Sequence, residues 1–127
     1  MTRLLLVTAN KTHFADLIVG IESLGGTISW AASGRQALAT ISESPVDLVL
    51  ADEDLGDMEG LAFARRLVAA NPMINCALVS SLPHAAYHEA SEGLCVLMQL
   101  PPEPGRADSQ RLMAHLNQIM GVTAVKR

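Results

Sequence analysis

The chain has 127 residues, half of them hydrophobic and 17% charged, with a formal charge of −4. At roughly 100–200 residues per domain this is one domain, large enough to bury about two thirds of its unfolded surface without staples. Disordered, collagen-like and low-complexity classes are excluded, and the basic residues are scattered except for Arg65–Arg66 and Lys126–Arg127, which argues against a nucleic-acid surface.

The first apolar run, Leu4–Val7, is too short for a signal peptide and reads as a buried strand. Phe14, Leu17, Ile18, Ile21 and Leu24 then recur at helical spacing until Gly25-Gly26 ends the helix. Thr27–Ala31 is the second strand. Ser33 and Gln36 form a capping box that opens a second helix through Leu38 and Ile41. Asp47–Ala51 is the third strand, and Leu61, Ala64, Leu67 and Val68 make a third helical stripe that stops at Asn71-Pro72. Cys76–Ser80 is the fourth strand. A short helix over Pro83–Glu92 follows, with Gly93 as its left-handed cap, and Leu94–Met98 is the fifth strand. The rigid segment Pro101–Gly105 leads to a fifth helix capped by Asp108 or Ser109. Its stripe of Leu112, Met113, Leu116, Ile119 and Met120 reads as core.

Strict alternation of strand and helix with short connections predicts an α/β fold, a doubly wound (βα)5 sandwich with a parallel sheet in the order 2-1-3-4-5. A ligand or reaction site in such a sheet lies beyond the carboxyl ends of the strands, where the order reverses between strands 1 and 3. One domain over residues 1–121 is expected, with 122–127 a tail or the start of a linker. No run reaches the 18 or so apolar residues of a membrane span. Cys76 and Cys95 lie in apolar runs and read as small buried hydrophobes in a reduced compartment, so the expected location is cytoplasmic. They are also candidates for neighbours across strands 4 and 5.

Asp52 is the first polar residue after the third strand, so its carboxylate emerges at the expected crevice. Glu53, Asp54, Asp57 and Glu59 follow, making five acids in eight positions. Glu53, Asp57 and Glu59 read as solvated loop acids, with Asp57 capping the third helix. The segment from Asp47 to Gly60 resembles the phosphoacceptor strand and loop of the response-regulator receiver family, the CheY-like domains with a flavodoxin-like fold. Asp47, Asp52, Leu55, Met58, Glu59 and Gly60 fall on its pattern, and Gly56 stands where a proline is usual. Asn10 after the first strand and Ser80 at the end of the fourth also fall on family positions.

The resemblance implies that Asp52 is the phosphoacceptor and Ser80 the hydroxyl that contacts the phosphoryl group. It also implies an acidic pair for Mg²⁺ after the first strand and a lysine before the proline after the fifth. Here those positions hold Thr8, Ala9 and Leu100, and Leu97 replaces the aromatic that moves with the strand-4 hydroxyl. An alanine and a hydroxyl replace two carboxylates poorly around Mg²⁺. Without the lysine, no fixed cation offsets the phosphoryl charge.

The leading expectation is therefore a degenerate receiver of two-component (phosphorelay) signalling, without enzymatic activity or cofactor, that acts as a protein-interaction module. Its partners, a histidine kinase or an output domain, would meet it through the fourth helix, fifth strand and fifth helix, with a homodimer as a further option for that face. No direct nucleic-acid or membrane partner is expected. The alternative is a working receiver phosphorylated on Asp52 with Mg²⁺, Asp52 and Asp54 being the only metal ligands in prospect. A remote third reading is a small flavin-binding protein, from the hydroxyl-rich loop Thr8–Thr12. His84 and His88, four apart on the fourth helix, read as surface histidines rather than metal ligands.

Overall fold

The computed structural model describes residues 2–92, 94 and 96–124. Five strands form one parallel sheet in the order β2-β1-β3-β4-β5. They are β1 (Thr2–Val7), β2 (Gly26–Ala31), β3 (Leu48–Ala51), β4 (Asn75–Val79) and β5 (Val96–Leu100). The helices are α1 (Ala15–Ser23), α2 (Gly34–Glu43), α3 (Gly60–Ala70), α4 (His84–Ala90) and α5 (Arg106–Ala124), and a 3-10 turn at Lys11–Phe14 precedes α1. The expected α/β architecture and strand order are both found.

The continuous apolar runs explain the layering. Successive side chains of a strand point to opposite faces, so an all-apolar strand feeds two cores at once. Leu5, Val7, Val49, Ala51, Cys76 and Leu78 face a core completed by Ala37, Phe63, Leu67 and Tyr87 from α2, α3 and α4. Leu4, Leu6, Leu48, Leu50, Ala77 and Val79 face the other side, completed by Leu17 and Ile21 of α1 and by Leu112, Met113 and Leu116 of α5. Burying each of the larger side chains among them, such as Leu5, Leu50 or Phe63, contributes about 1.5–3 kcal/mol, and truncating one to alanine typically costs about 2–5 kcal/mol.

Several local expectations are corrected. The fifth strand starts two residues later than the apolar run suggests, at Val96, because Val79 pairs with Leu100; Leu94 is buried ahead of the strand. Leu24 follows the end of α1 and is 48% exposed, so it is outside the stripe's buried face. Gly25, at φ +93°, provides the turn that the double glycine implied. Ser33 Oγ accepts from Gln36 N–H as expected, but the Gln36 side chain takes the N–H of Ala32 rather than that of Ser33. α5 begins at Arg106, and Asp108 acts from inside its first turn by accepting the Gly105 N–H. Ser109 is buried and donates to the Arg106 carbonyl, so it is no cap. Ile119, expected as core, is 39% exposed. α5 runs to Ala124, which carries the helix past residue 121; Gly93, Cys95 and the side chain of Met120 lie outside the described residues.

Candidate functional site

Each strand delivers one residue to the carboxyl edge of the sheet. The chain leaves β3 with the Asp52 N–H donating to the Val7 carbonyl, and leaves β1 with the Thr8 N–H donating to the Ala31 carbonyl. Thr8 and Asp52 therefore emerge side by side at the point where the strand order reverses. Thr8 is fully buried, and its Oγ1 lies 2.7 Å from Asp52 Oδ2, to which the hydroxyl donates. The other carboxylate oxygen of Asp52 accepts the Glu53 N–H at 2.8 Å. Thr8 Oγ1 in turn accepts the N–H of Asn10, and the Thr8 carbonyl accepts the indole N–H of Trp30 at 3.0 Å. The carboxylate at the crevice is thus fixed through Thr8 to the edge strand β2.

The loop after β3 needs glycine at two places. Gly56 has φ +86°, a backbone state that side-chain-bearing residues rarely adopt. At Gly60 a Cβ would collide with the Asp52 carbonyl, because the loop folds back and the Gly60 N–H donates to the Glu53 carbonyl at 2.9 Å. The family glycine at position 60 is thereby a direct packing requirement of the residue at 52.

The acids of this loop separate into distinct environments. Asp57 does not cap the third helix: its two oxygens accept the N–H groups of Gly34 and Arg35 at 2.9 and 3.0 Å, the first turn of α2. Those two backbone donors hold its carboxyl below the ordinary aspartate range. Nor is Glu53 merely solvated. Its Oε2 accepts both the N–H and the hydroxyl of Ser81, at 3.0 and 2.9 Å, across to the end of β4. Asp54 is exposed and accepts the Gly56 N–H, and Glu59 precedes α3 without a side-chain capping bond.

Ser80 follows β4 directly and is 6% exposed; its hydroxyl oxygen accepts the Leu82 N–H at 3.1 Å. Leu100, where the resemblance implies a lysine, is fully buried in the α1–α5 core. Ala9 is exposed beside Asp52, and the side chain of Leu97 lies outside the described residues. Gln99, one residue before Leu100, donates through Nε2 to the carbonyls of Ser80 and Leu82 at 3.2 and 2.9 Å. Asp47, the other aspartate on the motif, sits at the opposite end of the sheet, where it accepts the Arg3 N–H.

Two open clefts meet at Glu53 and Asp54. One, of about 540 Å³, runs past Ala9, Asn10, His13, Asp52 and Glu103. The other, of about 570 Å³, has Met58, Leu61, Leu82 and Tyr87 in its apolar wall and Asp57 and Glu59 on its rim. No lysine or arginine lines either cleft among the described residues. Glu103 enters the first from the loop between β5 and α5 with φ +53°, an unusual state for a residue with a side chain. Its contribution was invisible in the sequence, where the segment read only as a rigid connection. The bonds of Glu53 and Gln99 to Ser80–Leu82 were equally hidden, because they join residues 17 to 28 positions apart.

The remaining candidates fall elsewhere. His84 and His88 stack at 6.4 Å on the exposed side of α4, and no group of three or more His, Cys, Asp or Glu able to hold a metal ion occurs among the described residues. Cys76 is buried and its thiol is pushed up to about 12 by desolvation. The pairing proposed with Cys95 lies outside the described residues. In the loop Thr8–Thr12, Asn10 Oδ1 accepts the Thr12 N–H and hydroxyl, so these groups close the loop on itself. Lys11 lies 5.0 Å over the Trp30 ring. No helix among the described residues is long and apolar enough to cross a membrane.

Residues 4–96 match the model of the response regulator receiver domain. The chain belongs to that family. This receiver is 35% identical over 71 residues to the transcriptional regulatory protein ZraR of Escherichia coli K12, a stretch covering 56% of this chain and 16% of that protein. Its fold resembles the chemotaxis response regulator CheY4 of Vibrio cholerae, with a TM-score of 0.80 at 14% identity over 91% of this chain and 98% of the other. A CheY-like receiver domain protein from Methanospirillum hungatei JF-1 gives 0.82 at 19% identity, over 96% and 98%. Receivers are signalling modules of two-component systems, and their partners are kinases and output domains.

Proposed function

We propose that this receiver works as a protein-interaction module whose state does not depend on Mg²⁺-assisted phosphorylation of Asp52. The observation that carries this reading is the charge of the cleft around Asp52. Asp52, Glu53, Asp54 and Glu103 line it, and among the described residues its only side chain able to carry a positive charge is His13. Phosphoryl transfer to a carboxylate is mainly positioning and neutralisation, so a second anion needs cations here.

The donor set fits Mg²⁺ poorly. The ion wants near-octahedral oxygen coordination, usually with carboxylates in its first sphere. Ala9 offers no ligand, Thr8 directs its hydroxyl proton at Asp52, and Glu53 is held at Ser81. Leu100 lies in the core and supplies no charge. The working surface on this reading is α4, β5 and α5, through which a kinase, an output domain or a second copy of the chain would dock, and no nucleic acid or cofactor takes part.

A working phosphoacceptor is the competing reading, supported by Asp52 and Ser80 directly following β3 and β4. Titration with millimolar Mg²⁺, followed by amide NMR shifts of residues 8–10 and 52–56, separates the two. The interaction-module reading expects no saturable change. Saturable shifts centred on Asp52 and Asp54 would instead support the phosphoacceptor.

A further inference from the structure

The segment Ser80–Leu82 joins β4 to α4, and segments of this kind at the carboxyl edge of a sheet ordinarily leave backbone groups to solvent or to a ligand. Here every one of its N–H groups is taken. The Ser80 N–H donates to the Leu100 carbonyl, the Leu82 N–H to Ser80 Oγ, and the Ser81 N–H to Glu53 Oε2. The Ser81 hydroxyl donates to the same carboxylate oxygen. From the opposite side, one amide nitrogen, Gln99 Nε2, donates to the carbonyls of Ser80 and Leu82. The loop is gripped between an anion from the β3–α3 loop and an amide from the edge strand β5.

We infer that Glu53 is a resident anion for the β4–α4 loop: its carboxylate fills the Ser81 donors and, together with Gln99, holds the loop and the start of α4 in one arrangement without a phosphoryl group. Glu53 is the neighbour of Asp52, so the negative charge it brings stands within one residue of the acceptor position. Two donors converging on one carboxylate oxygen form charge-assisted bonds, stronger than those between neutral groups. Gln99 adds specificity because its two acceptors lie on either side of Ser81. Moving Ser81 away from Glu53 therefore also strains or breaks the bonds to Gln99. The inference rests on the phosphorylation-independent reading and deepens it, since it names what replaces the phosphoryl group as the loop's anchor.

The test is ¹⁵N relaxation dispersion and amide hydrogen exchange on the full chain, with Glu53→Ala and Gln99→Ala, in the absence of any phosphate donor. Wild type is expected to show flat dispersion at Ser81 and Leu82. Either variant is expected to introduce microsecond-to-millisecond exchange there while Ala77–Val79 of β4 stay unchanged. The Ser81 amide of Glu53→Ala should exchange at least about tenfold faster, the factor that a lost bond to a charged acceptor supplies. If Glu53→Ala does not fold, Gln99→Ala reports from the other side of the loop. Dispersion at Ser81 in wild type, or variants as quiet as wild type, would overturn the inference. A phosphoryl adduct on Asp52 would instead refute the underlying reading, and because the loop is measured without phosphate the two failures cannot be confused.

Discussion

The Thr8 hydroxyl donates to Asp52 Oδ2 at 2.7 Å from a fully buried position. A neutral hydroxyl from the end of β1 thus satisfies one oxygen of the Asp52 carboxylate directly.

Replacing Thr8 by valine keeps the shape and removes the hydroxyl. Asp52 loses one partner and the Asn10 N–H loses its acceptor, so stability is expected to fall by about 1–2 kcal/mol, measured from the urea midpoint. Trp30 is the chain's only tryptophan and bonds the Thr8 carbonyl, so its emission should shift with the same substitution. An unchanged midpoint would show that the Thr8–Asp52 bond adds nothing.

Tyr87 is buried in the α2–α3–α4 core, and its hydroxyl has no hydrogen-bond partner among the described residues. Burial, with the nearby Cys76 adding to it, pushes the phenol well above its usual range. An unmet buried hydroxyl costs about 1–3 kcal/mol, so Tyr87→Phe should raise the unfolding midpoint. A loss of stability would mean the hydroxyl is satisfied in solution.

Cys76 should be inert as a nucleophile, since only the thiolate reacts and burial raises its titration to about 12. In a Cys95→Ser variant, iodoacetamide at mildly alkaline pH is expected to leave the native mass unchanged and to alkylate the urea-unfolded chain fully. Rapid labelling of the native form would contradict the buried placement.

Asp57 links the loop after β3 to the first turn of α2, and its folded titration lies below the unfolded value. The sign follows: its stabilisation is complete above the unfolded value near about 3.9 and is lost as pH falls through the lower folded value. Asp57→Asn should therefore destabilise the domain at neutral pH, and the gap from wild type should narrow in acid. A gap that widens in acid would exclude this linkage.

The fold was legible because it depends on local signals: apolar strands two-sided enough to feed both cores, and helical stripes ended by Gly25 or Asn71-Pro72. The placement of Asp52 directly after β3 followed from the same pattern. What stayed hidden depends on distant pairings. Asp57 was assigned to the helix next to it in sequence, whereas the loop turns it toward α2, 22 and 23 residues away. Glu53 looked like one solvated acid among five, and only the approach of β4 to β3 brings Ser81 within its reach. The two bonds of Gln99 stayed hidden because β5 was set two residues too early.

The central claim is that this receiver does not take phosphate on Asp52 by the Mg²⁺-dependent route. Intact mass after incubation with acetyl phosphate and Mg²⁺, run beside an Asp52→Asn control, tests it most directly. The account expects an unchanged mass in both chains over hours. A phosphoryl adduct on the wild-type chain that is absent from the control would contradict it.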